Sequence, residues 1–95
     1  MSISCRAVAL TGSDQAVSAR ACIYRGYTVV ETGGVSTATV RIYDHASAAS
    51  GTLIGAANLA AGGSADIDLC GQWCENGVYV DVGGSGTVAG SIRIG

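Results

Sequence analysis

Thr37-Ala-Thr-Val-Arg-Ile-Tyr43 alternates without a break. Ala38, Val40 and Ile42 fall on one side, and Thr37, Thr39, Arg41 and Tyr43 fall on the other. A period of two is the signature of a strand with one face against a core and one toward water. The same alternation recurs outward from this stretch. Val17, Ala19, Ala21 and Ile23 are opposed by Ser18, Arg20, Cys22 and Tyr24. Val78, Val80 and Val82 are opposed by Tyr79 and Asp81, and Val88, Gly90, Ile92 and Ile94 by Ala89, Ser91 and Arg93. Weaker strand signals lie at Ile3 to Leu10, Thr28 to Glu31, Thr52 to Leu59 and Ala65 to Leu69.

Turn chemistry sits between these runs: Thr11-Gly-Ser-Asp14, Gly33-Gly34, Gly62-Gly-Ser64, Asn76-Gly77 and Gly83-Gly-Ser-Gly86. Strands at this spacing predict an all-β chain. The expected architecture is a single-domain antiparallel β-sandwich or small barrel over residues 1–95, with about eight short strands, jelly-roll-like. The Ala-rich stretches Ala46 to Ser50 and Gly55 to Ala61 offer a helical turn as a local alternative.

Composition narrows the function classes. The chain has no Phe, one Trp and one Met, so its apolar residues supply little volume for a core. Oligomerisation or docking on a larger body is one remedy for a small domain of this kind. All five basic residues are Arg, against seven carboxylates, with no basic run. That lacks the electrostatic footprint of nucleic-acid binding. The N-terminal stretch does not read as a signal peptide, and no apolar run approaches a membrane span. No nucleic acid or membrane partner is therefore expected.

Few residues carry a chemical signature. His45 is the single histidine, beside Asp44 in sequence; on a strand, neighbours face apart, so no triad is expected. Gly83 to Gly86 is followed by a strand pattern rather than a helix and reads as a hairpin turn, not a phosphate loop. Asp66 and Asp68 share a strand face without any calcium-loop spacing, and read as edge-strand charges. Cys70 and Cys74 bracket Gly-Gln-Trp73 in an expected loop, and Cys5 and Cys22 lie on separate strands. Three readings compete: free thiols, a Cys70–Cys74 disulfide, and a zinc site recruiting Cys5, Cys22 or His45. Tetrahedral zinc sites usually show two close-spaced pairs, and only one is present. No catalytic residue set, cofactor or metal is expected, and the chain reads as a non-enzyme. The alternation places Arg20, Tyr24, Arg41, Tyr43, Tyr79 and Arg93 outward. Arg and Tyr are enriched at protein interfaces, which makes these six the candidate contact residues; the alternative reading is that they simply cover polar strand faces.

The strand text carries a resemblance. Ser18-Ala-Arg-Ala-Cys-Ile-Tyr-Arg-Gly-Tyr-Thr-Val29, Ala38-Thr-Val-Arg-Ile-Tyr-Asp44, Gly51-Thr-Leu-Ile-Gly55, Asn76-Gly-Val-Tyr-Val-Asp-Val82 and Gly86-Thr-Val-Ala-Gly-Ser-Ile-Arg-Ile94 resemble small all-β virion proteins of tailed phages and prophages. The cysteines around Trp73 depart from that pattern, in which a polar, cysteine-free loop is expected. The resemblance implies a virion location after assembly in the host cytoplasm. It further implies decoration or cementing of the capsid, contacts with the major capsid protein or other virion proteins, and a homo-oligomer, with a trimer suiting a symmetric shell. The alternatives are a tail or neck component, and a carbohydrate- or receptor-binding module that uses Trp73 and the tyrosines.

Overall fold

A computed structural model of the chain describes residues 5–95. Eight strands follow in order: β1 (Arg6–Ala9), β2 (Gln15–Ser18), β3 (Cys22–Glu31), β4 (Ala38–Asp44), β5 (Thr52–Leu59), β6 (Ser64–Cys74), β7 (Val78–Gly84) and β8 (Val88–Ile94). They form two four-stranded antiparallel sheets, β1-β8-β3-β6 (sheet A) and β2-β7-β4-β5 (sheet B). The pairs β4–β5, β3–β6, β2–β7 and β1–β8 are nested inside one another. The chain is thus one long antiparallel ribbon folded over into a sandwich, the double-sheet jelly-roll arrangement.

The alternation over Thr37–Tyr43 translates directly into burial. Ala38, Val40 and Ile42 are essentially inaccessible, and Val78, Val80, Leu59, Val88, Ile92 and Ile94 join them between the sheets. Each buried Val or Ile contributes roughly 1.5–3 kcal/mol of transfer free energy. Thr52–Leu59 is strand throughout, so the helical alternative does not form; Ala57 and Leu59 need the sheet's inner face to be buried. The N-terminal strand begins at Arg6, and Ile3, counted with it from the sequence, lies outside the described residues.

Three expectations are corrected. Val17 to Ile23 is not one strand. Ser18 Oγ donates to the Arg20 carbonyl at 2.9 Å and accepts from the Arg20 amide at 3.4 Å, closing a local turn between β2 and β3. The turn resets the phase, so Cys22 and Tyr24 point inward while Ala19 and Ala21 are exposed. Next, Gly83–Gly86 is not a hairpin. Gly83 and Gly84 end β7, and the following turn carries the chain to β8 in the other sheet. Finally, the segment around Trp73 is not a loop, because β6 runs on to Cys74 past a bulge.

That bulge has a definite cause. Gly26 has φ +114°, and an added Cβ would collide with the Ile67 carbonyl, so only glycine fits. Arg25 and Gly26 together oppose a single residue of β8, while Leu69, Cys70 and Gly71 are looped out on β6. The extra residue puts both Tyr24 and Tyr27 on the inner face, three positions apart. In a chain without Phe these are the largest side chains of the core. Tyr27 Oη donates to the Ala56 carbonyl of β5 at 2.9 Å, and the Tyr24 hydroxyl lies over Gly55, where a Cβ would leave it no room.

One end of the sandwich is fastened by a buried carboxylate. Glu31 is 1% exposed. Its Oε1 accepts from the amides of Gly34 (2.7 Å) and Gly62 (2.9 Å), and its Oε2 from those of Gly33 (2.9 Å) and Thr87 (2.8 Å). The β3–β4, β5–β6 and β7–β8 connections therefore all hang on one side chain. These amide bonds, that from Gly62 foremost, hold the carboxyl down at about 2.

Candidate functional site

The six candidate contact residues do not form one surface. Arg41, Tyr43 and Tyr79 lie together on the outer face of sheet B. Arg93 lies on the outer face of sheet A. There it donates to Asp66 Oδ1 (3.1 Å), the Ile67 carbonyl (2.6 Å), the Tyr27 carbonyl (3.2 Å) and Thr28 Oγ1 (2.8 Å). It is a clamp that ties edge strand β6 to β3 and β8. The Thr28 hydroxyl and then Arg93 hold the Asp66 carboxyl below its ordinary range. Arg20 sits in the β2–β3 turn. Tyr24 is corrected outright: it is 1% exposed in the core, its hydroxyl pushed up first by burial and then by Tyr27.

On sheet B the register assembles a continuous row. Tyr43 pairs directly with Tyr79 on β7 and with Leu53 on β5, and Tyr79 pairs with Ala16 on β2. Leu53–Tyr43–Tyr79–Ala16 thus crosses the whole outer face. Leu53 is half-exposed, and the tyrosines are partly covered. A parallel row holds Ala56, Arg41 and Asp81. Arg41 is fixed by bonds to the Val40 and Ala57 carbonyls (3.0 and 3.1 Å) and to Asn58 Oδ1 (2.7 Å). The Asp81 carboxyl is raised, first by burial and then by its bond to Asp14. The result is an aromatic and apolar stripe bordered by one immobilised cation and an acidic pair. Rigid, amphipathic Tyr and a fixed guanidinium present contact area at low entropic cost.

Leu53 was not marked by the sequence alternation. A bulge at Ile42/Tyr43 turns it to the same side as Tyr43, and nothing in Thr52-Leu-Ile-Gly55 betrays that phase change.

His45 has a local structural role: its Nδ1 accepts the amides of Ser47 and Ala48, both at 3.0 Å, and shapes the β4–β5 loop. Asp44, its neighbour, accepts the amides of Asn76 (2.9 Å) and Glu75 (3.3 Å) and holds the β6–β7 turn. Among the described residues no three His, Cys, Asp or Glu side chains converge as metal ligands. All four cysteines are free thiols, the first of the three competing readings, and Cys70 and Cys74 are not bridged. The strand geometry explains why: Cys70 is exposed on the β6 bulge, its carbonyl accepting from Arg25 Nη1 at 2.7 Å, whereas Cys74 is buried opposite Cys22. A cavity of about 400 Å³ opens beside Cys22, lined also by Arg6, Arg20, Ser18 and Cys5. Trp73, on edge strand β6 opposite Ile23, is 64% exposed.

Comparison of the chain with protein-family models, with curated protein sequences and with solved structures finds no match.

Proposed function

We propose that the chain is a structural subunit of a tailed-phage or prophage particle, decorating or cementing the capsid through contacts made by the outer face of sheet B. The phage assignment rests on the resemblance of the strand text. The observation that carries the contact role is the row Leu53–Tyr43–Tyr79–Ala16, which spans all four strands of one sheet and which, among the described residues, no element covers. The jelly roll adds support by analogy, since viral capsid domains use it, though a fold does not fix a function. On a symmetric shell a small subunit gains avidity from repeated weak contacts, and a trimer is the assembly that suits such a lattice.

Jelly rolls also serve as lectin domains, and the exposed Trp73 favours a second reading as a carbohydrate- or receptor-binding module. Quantitative mass spectrometry of purified particles from the phage or induced prophage that encodes the chain decides between them. A copy number comparable to the major capsid protein supports capsid decoration, and Tyr43→Ser with Tyr79→Ser then lowers occupancy. A few copies per particle place the chain in the neck or tail. Absence from particles, with glycan binding lost in Trp73→Ala, overturns the structural role in favour of sugar binding.

A further inference from the structure

Cys22 is the first residue of β3 and Cys74 the last of β6, and the two are direct register partners. Directly opposed residues of antiparallel strands have Cα atoms about 4.5–5.5 Å apart, inside the roughly 4.4–6.8 Å that a disulfide spans. Both side chains are on the inner face, 9% and 0% exposed. Both lie at strand ends, where the backbone has freedom to settle around a new bond. Cys22 also lines the cavity whose walls carry Arg6 and Arg20, whereas Cys74 does not reach it. One cysteine of the pair therefore lines a cavity that two arginines also line, and the other lies outside that lining.

We infer that Cys22 and Cys74 form a redox-active dithiol, and that the Arg6/Arg20 cavity admits a small carboxylate-bearing disulfide that oxidises it to a cross-strand disulfide. Cys22 gives its proton to solvent, and its thiolate attacks one sulfur of the incoming disulfide and expels a thiolate, which is protonated from solvent, leaving a mixed disulfide on Cys22. Cys74 gives up its proton to solvent and attacks the Cys22 sulfur, expelling the second thiolate, which is then protonated. The balance is one protein dithiol plus one small disulfide going to one protein disulfide plus two small thiols. Two electrons pass from protein to oxidant. The order of attack follows from the surroundings: burial, then the charges of Asp44 and Cys22, push the Cys74 thiol up to about 11, so it resolves rather than initiates. The inference does not depend on the proposed virion role.

The test incubates the full chain with oxidised glutathione and follows intact mass, then maps linkages after alkylating the remaining thiols. The expected product has lost two hydrogens, with Cys22 joined to Cys74 and with Cys5 and Cys70 alkylated. Cys74→Ser is expected to stop at the glutathione adduct on Cys22, and Cys22→Ser to leave Cys74 unmodified. Arg6→Gln with Arg20→Gln is expected to slow reaction with oxidised glutathione about tenfold, while leaving reaction with the dicationic disulfide cystamine as fast or faster. A bridge from Cys22 to Cys5, a persistent adduct on the wild-type chain, or no reaction at Cys22 overturns the dithiol. Equal slowing with both oxidants overturns the role of the two arginines. Circular dichroism of each variant reports whether the fold is retained, and the cystamine arm is read on wild-type chain in parallel.

Discussion

The hydroxyl of Tyr27 on β3 donates to the carbonyl of Ala56 on β5 at 2.9 Å, a side-chain hydrogen bond that crosses from one sheet to the other. It exists because the Gly26 bulge turns Tyr27 inward, and it lets a chain without Phe use a phenol as core filler. Tyr27→Phe keeps the ring and removes the bond. The expected loss is about 0.5–1.5 kcal/mol in urea unfolding, with an unchanged dependence on denaturant concentration.

Gly26 is the second point of sensitivity. Gly26→Ala forces a side chain onto a backbone at φ +114° and into the Ile67 carbonyl. A cost of at least about 1–3 kcal/mol is expected. Hydrogen exchange is expected to rise first in the amides of β3 and β6 that flank the bulge.

Glu31 makes stability depend on acid. Its carboxyl sits at about 2 in the folded chain against an ordinary value of 4.5. The stabilisation is complete above pH 4.5 and is lost as pH falls toward 2, because the unfolded chain takes up the proton first. Glu31→Gln offers an amide nitrogen where two of the four donors need an acceptor. The variant is expected to be less stable at neutral pH, and the slope of its unfolding midpoint between pH 4.5 and 2 is expected to flatten. Thermal melts across that range measure both effects.

Tyr43→Ser and Tyr79→Ser alter the outer face without touching the core. Each is expected to change stability by no more than about 0.5 kcal/mol, plus any loss of their mutual cross-strand packing of about 0.2–1 kcal/mol. Light scattering at several concentrations is expected to show weaker self-association in the double variant. An unchanged mass, from a chain that is oligomeric to begin with, would remove this face from the homo-oligomer contact.

How much of this was legible in the sequence follows from where the alternation is continuous. Thr37–Tyr43, Val78–Val82 and Val88–Ile94 keep one phase, so their faces read correctly, and Arg41, Tyr43, Tyr79 and Arg93 point outward as the pattern requires. Phase is lost wherever the backbone adds a residue or turns. The Ser18–Arg20 turn inverted Cys22 and Tyr24, and the bulges at Gly26 and at Ile42/Tyr43 hid the inward Tyr27 and the outward Leu53. Pairing between distant strands leaves no local mark at all. Cys22 and Cys74 therefore meet without any spacing signal, while Cys70 and Cys74, close in sequence, do not. Nothing local marks Glu31 either, because its four donors come from three separate connections.

The nested pairing of the strands also dictates an order of events during synthesis. Among the described strands only β4 and β5 are both neighbours in sequence and partners in a sheet; every other pair is separated by intervening strands. The outermost pair matches Arg6 with Ile94, so β1 has no partner in its sheet until β8 has left the ribosome. Contact order is correspondingly high, which makes for slow folding and a long interval with unpaired edges. A polypeptide stopped short of β8 would leave both β1 and β3 open along their central edge, a species prone to associate with its own kind before it can close.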